Sequence, residues 1–175
     1  MKMYRTGYIA ATIEKNNGFS YFAWPLLQIE NDIIAESLTD EADDKWFTKY
    51  DMPEIAPDLE YVKRYVSYCH SINIDAVILQ IETPFKGFET TDEITNIITY
   101  GYDCIGAVGY SFLENEFSLW KDKLKQNNIN LNEYGLFKSI EDVNKFISLR
   151  QLYISQGLDL ENYWNELPIR ISEII

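Results

Sequence analysis

The chain has 175 residues, with 28 Asp and Glu against 15 Lys and Arg, a formal net charge of −13. At 46% hydrophobic and 15% aromatic residues it can fill one core of the usual ~100–200 residues, which excludes a disordered acidic tail. The negative balance argues against binding nucleic acid, whose affinity comes from clustered Lys and Arg, and against anionic membrane surfaces.

The first residues, Met1-Lys2-Met3-Tyr4-Arg5-Thr6-Gly7, lack the roughly 7–15-residue apolar block of a secretory signal. No run approaches the ~20 apolar residues of a membrane helix. A soluble, cytoplasmic protein is expected. Cys69 and Cys104 form no CxxC pair, so both are expected to remain thiols buried as small hydrophobes.

Residues 4–13 and 19–29 flank Asn16-Asn17-Gly18. Asn-Gly between β-prone segments predicts an antiparallel hairpin, since a type I′ turn needs positive φ at both central positions. Pro25 marks an edge or a bend. Residues 30–60 are different in kind. They hold eleven acids and two lysines, a net −9, with Pro53 and Pro57 breaking the end of the stretch. An exposed loop with a helical turn near Trp46 is expected there.

From Pro57 to Ile72, Leu59, Val62, Val66, Cys69 and Ile72 recur at helical spacing, with Pro57 acceptable in the first turn. Ala76 to Ile81 reads as a short buried strand. Residues 92–100 fit either a helix opened by Thr91-Asp92-Glu93 or a strand through Ile97-Ile98-Thr99-Tyr100. Ile105 to Phe112 reads as a strand with bends at Gly106 and Gly109. Leu113, Phe117, Trp120 and Leu124 trace the next helix, ending near Gln126-Asn127-Asn128.

Ser139-Ile140-Glu141-Asp142 resembles a capping box, in which the Ser oxygen takes an orphan backbone N–H. Val143, Phe146, Ile147 and Ile154 form the buried stripe behind it, and Gly157 is a natural stop. A last short helix, about Asp159 to Glu166, is expected to end at Pro168. Residues 1–175 thus read as a single α+β domain. Its sheet would have three to five mainly antiparallel strands with an N-terminal hairpin, covered by helices.

No Walker loop, GxGxxG, HExxH, EF-hand loop, GxSxG or CxxC occurs, so the sequence implies no metal and no cofactor. Gly106-Ala107-Val108-Gly109 lacks a third glycine and a phosphate-binding lysine. Cys69 and His70 are adjacent, yet successive side chains on a helix point ~100° apart, which works against a dyad. Among the carboxylates, Glu82 and Asp103 each sit near the end of an expected strand. They form the candidate pair for an acid–base hydrolase of a neutral glycan.

The acidic segment offers a different chemistry. Asp40, Glu41, Asp43, Asp44, Asp51 and Glu54 are interleaved with Trp46 and Tyr50. Concentrated negative charge speeds encounter with a basic protein, and aromatic anchors supply the buried part of an interface. A solvated face, or aromatics that merely pin the loop, would account for the same residues.

Gly101-Tyr102-Asp103, then Asn132-Glu133-Tyr134-Gly135-Leu136-Phe137 leading into Ser139-Ile140-Glu141-Asp142, resembles small bacterial immunity proteins of polymorphic and contact-dependent toxin systems. The resemblance covers roughly residues 100–155 and implies binding and neutralisation of a cognate toxin inside the producing cell. Locally, Gly135 is expected at positive φ, with Leu136 and Phe137 entering the core. The expected function is a non-catalytic inhibitor of a basic toxin, a nuclease being one such target. A glycan hydrolase using Glu82 and Asp103, or a scaffold subunit, are the alternatives.

Overall fold

The computed structural model describes residues 2–16, 19–23, 58–84, 94–105, 117–157 and 166–175. Strands β1 (Tyr4–Asn16) and β2 (Phe19–Ala23) pair antiparallel with Asn16 opposite Phe19, which is the expected hairpin. Helix α1 (Leu59–Ser71), strands β3 (Ala76–Thr83) and β4 (Ile97–Ile105), helices α2 (Phe117–Gln126) and α3 (Ile140–Ser155), and strand β5 (Leu167–Ile174) follow. The five strands form one sheet in the order β2-β1-β3-β5-β4, antiparallel throughout.

The fold is α+β, and the described helices share one face of the sheet. Residues 76, 78, 80 and 82 of β3 point to that side, because side chains alternate along a strand. Tyr8 and Ala76 join Leu59, Val62, Tyr65, Val66 and Cys69 of α1 in one cluster. Cys104 of β4 joins Trp120, Leu124, Val143 and Phe146 of α2 and α3 in another. The opposite face carries Ile9, Ala11, Leu79, Ile81, Ile169 and Ile171, all buried.

Helix α1 begins at Leu59 because Asp58 caps it: the carboxylate accepts the N–H groups of Glu60 at 2.9 Å and Tyr61 at 3.2 Å. Pro57 therefore precedes the cap rather than entering the first turn. Three tyrosines, Tyr61, Tyr65 and Tyr68, widen the buried face beyond the aliphatic stripe, whereas Ile72 stays 37% exposed. Replacing the cap, Asp58→Ala, is expected to lower stability by about 1 kcal/mol, or roughly 2–4 °C in melting temperature. Thermal denaturation followed by circular dichroism checks this; an unchanged midpoint would remove the cap's role.

Of the two readings of residues 92–100, the strand holds from Ile97, and β4 runs to Ile105, the first residue of the strand expected through Phe112. Residues 106–112 lie outside the described residues. The last helix, expected to end at Pro168, does not reach it: Glu166 is not helical and strand β5 begins at Leu167, with Pro168 inside it. Ile169 and Ile171 face one side while Arg170 and Ser172 face the other, a period of two.

Proline is tolerated at 168 for a specific reason. Tyr102 turns its N–H and C=O outward to Phe137, so Gly101 and Asp103 bond inward to Ile171 and Ile169. By alternation the nitrogen of Pro168 faces the β3 side. There β3 has already ended at Thr83, and no ladder bond is lost. Residues 159–165 of the expected last helix lie outside the described residues.

Candidate functional site

The motif residues Gly101-Tyr102 and Leu131–Phe137 form a single unit. Tyr102 and Phe137 exchange both backbone hydrogen bonds, at 2.9 and 2.8 Å, so the turn docks on the outer edge of β4. Asn132 holds the turn's shape. Its Nδ2 donates to the Tyr100 carbonyl at 2.6 Å, and its Oδ1 accepts from Tyr134 and Leu136 at 2.9 and 3.1 Å. Gly135 takes φ +73°, and Leu136 and Phe137 are buried, as expected.

Gly101 allows this approach. A Cβ there would lie 2.8 Å from Asn132 Nδ2 and 2.9 Å from both Leu136 Cβ and the Phe137 carbonyl oxygen. Tyr100 stacks edge-on against Tyr134 with ring centroids 4.5 Å apart, and its hydroxyl donates to Glu173. Burial, and then that carboxylate, push the Tyr100 pKa well above its ordinary value. The turn then delivers Ser139, whose hydroxyl accepts the Asp142 N–H at 3.2 Å and caps α3.

A charged row crosses the sheet on the helix-bearing face. The register sets Arg5 of β1 opposite Glu82 of β3, Glu82 opposite Arg170 of β5, and Arg170 opposite Tyr102 of β4. Arg170 grips both Glu82 oxygens, through Nε and, at 2.5 Å, through Nη2. The hydrogen bond to Glu82 raises the Arg170 pKa against the opposing effect of burial, and a contact with Tyr102 adds to it. Arg170 remains about one-third exposed, with 32% of its side chain accessible.

This geometry separates the two carboxylates singled out for acid–base work. Glu82 shares a face with Arg170 and Tyr102; Asp103 follows Tyr102 in the strand and points to the other side. Both Glu82 oxygens are engaged by a guanidinium. Asp103 is 3% exposed and accepts the Cys104 N–H at 2.7 Å. No single cleft receives the pair.

The eight proposed contact residues, Asp40, Glu41, Asp43, Asp44, Trp46, Tyr50, Asp51 and Glu54, lie outside the described residues. The end of the acidic segment is described: Asp58 and Glu60 are exposed at the start of α1, Glu60 paired at 2.6 Å with Lys63. Cys69 and His70 diverge as expected. Cys69 is fully buried, and that burial raises its thiol pKa, while exposed His70 donates from Nε2 to the Ala76 carbonyl at 2.8 Å. Cys104 is likewise a buried free thiol.

Among the described residues, no group of three or more His, Cys, Asp or Glu could hold a metal ion, and no helix could cross a membrane. One buried ion pair escaped the sequence reading. Arg150 of α3 is fully buried and paired with Glu166, which also accepts from Gln151 at 2.9 Å. No local pattern joins residues 150 and 166, because the contact exists only once β5 is in the sheet. No family model, curated protein or solved structure significantly matches the chain.

Proposed function

We infer that this protein is a non-catalytic inhibitor, an immunity protein that binds and neutralises a basic bacterial toxin through its acidic surface. The observation that carries the reading is the net −9 packed into residues 30–60 of a chain whose total is −13. A nuclease is a suitable target, because a site that holds phosphates is itself positive and shape plus negative charge suffices to cover it.

Two further features support the reading. The segment's last acids, Asp58 and Glu60, stand exposed at the head of a capped helix. Among the residues that carry the resemblance to immunity proteins, Gly101 and Tyr102 lie directly against Asn132, Leu136 and Phe137. In the proposed interface Asp40, Glu41, Asp43, Asp44, Asp51 and Glu54 pair with Lys and Arg of the toxin. Trp46 and Tyr50 supply the anchors.

The test is affinity capture from the native strain on the immobilised chain, beside a variant carrying Asp40→Lys, Asp43→Lys and Asp44→Lys. The expected result is a basic polypeptide whose toxic activity the wild-type chain quenches and which the variant holds at least tenfold more weakly. A partner bound equally by both chains would remove this surface. Recovery of no basic toxin would remove the function.

A further inference from the structure

The outer edge of β4 changes character along its length. Tyr102 is paired with Phe137, and the Tyr100 carbonyl is taken by Asn132. Before Tyr100, no described strand pairs with the outer side of the strand. Thr95, Asn96, Ile97, Ile98 and Thr99 are all exposed, with Ile97 at 39% and Ile98 at 48%. From Ile94 through Tyr102 there is no charged side chain and no proline, the devices that ordinarily guard an edge strand.

Backbone directions along this stretch follow from one bond. The Ile175 N–H donates to the Asn96 carbonyl at 3.1 Å, so Asn96 turns its polar groups inward to β5. Ile98 then does the same, while Thr95, Ile97 and Thr99 present N–H and C=O outward. The open edge is bounded by half-buried Ile94 on one side and by the Asn132 bond on the other. Its midpoint is Ile97.

About Ile97 the outward-bonding residues read alike in both directions: Thr95, Ile97, Thr99. An antiparallel pairing of this strand with its own copy is two-fold symmetric whatever its sequence, because each residue i meeting j is repeated as j meeting i, and centring it on Ile97 brings all three outward-bonding residues into register. We propose that a second copy of this chain adds to the open edge, β4 against β4, on a two-fold axis through Ile97. Ile97 pairs with Ile97 of the second copy, and Thr95 with its Thr99, all in the hydrogen-bonded register. Like pairs of Thr and of β-branched residues are favourable cross-strand neighbours. The result is one continuous sheet of ten strands, two copies of the five-stranded sheet.

The neutrality of the edge matters for a chain of charge −13. Two copies of so acidic a chain repel, and this stretch lets them meet without opposing carboxylates. Added salt screens the remaining repulsion, so dimerisation strengthens with ionic strength. Binding to a basic toxin through residues 30–60 has the opposite salt dependence, and the two interactions are separable by that sign.

The experiment is site-directed cross-linking of Ile97→Cys with oxidised glutathione, beside Ile72→Cys at the exposed end of α1. Hydrogen-bonded antiparallel partners have Cα atoms about 5.5 Å apart, within disulfide reach. Ile97→Cys is expected to form a covalent dimer at least tenfold faster than Ile72→Cys. Sedimentation of the wild-type chain, which needs no substitution, is expected to show twice 20.5 kDa, more completely at higher salt. A wild-type mass of 20.5 kDa at the highest soluble concentration would overturn the proposal, as would equal cross-linking at the two positions.

Discussion

Gly101→Ala is expected to cost on the order of 4 kcal/mol and to lower the melting temperature by roughly 10 °C. Two effects add. Gly101 has φ +151°, which an L side chain rarely adopts, and its Cβ position is already crowded to 2.8–2.9 Å by Asn132, Leu136 and Phe137. Of these neighbours the Phe137 carbonyl is backbone, tied to Tyr102 by a 2.9 Å hydrogen bond, so it yields only if the turn undocks. Gly157 separates the two effects. It sits at φ +82° with nothing within 4 Å of its Cβ position, so Gly157→Ala carries backbone strain alone, about 1 kcal/mol. Parallel thermal melts decide the matter. Equal losses at the two glycines would show that the docking of residues 131–137 does not depend on Gly101.

Glu166→Ala is expected to cost about 3–5 kcal/mol, because it removes the carboxylate that pairs with the buried Arg150 guanidinium. Arg150 has no exposed side-chain surface, and only 6% of the Glu166 side chain is exposed. Attraction in such a site is offset by the desolvation of both ions. The double replacement Arg150→Met with Glu166→Leu is therefore expected to recover most of the loss. Denaturant unfolding of the single and double variants gives the comparison. A single variant within 1 kcal/mol of wild type would contradict the buried pair.

What the sequence made legible was local. The β1–β2 hairpin follows from Asn-Gly between β-prone segments, and α1 follows from Leu59, Val62, Val66 and Cys69. The start of α3 follows from Ser139. Each rests on backbone chemistry or on the period of one short segment, and neither depends on the rest of the chain. The buried tyrosines of α1 were harder to see, because Tyr61, Tyr65 and Tyr68 can face water as readily as a core.

What the sequence left hidden depends on partners far along the chain. Strand β5 contains a proline, and the sequence offered no reading of residues 167–174 beyond a helix stopping at Pro168. Its place between β3 and β4 is set by pairing with residues 79–82 and 97–105. Arg150 looks like an ordinary surface arginine until Glu166 comes alongside it. Glu82 and Asp103 looked alike as strand-end acids. Only the register assigns them to opposite faces, one locked to Arg170 and the other under Cys104. The motif residues Gly101 and Asn132 were visible in sequence, but their mutual contact was not.

The acidic segment is the part of the account on which function turns, and its charge is a property of the sequence itself. The most direct measurement is the dependence of partner affinity on salt concentration, for the wild-type chain and for the Asp40, Asp43 and Asp44 reversal. Wild-type affinity is expected to fall steeply as salt rises, with a markedly shallower dependence for the reversed chain. Equal slopes for the two, or a wild-type affinity indifferent to salt, would contradict it.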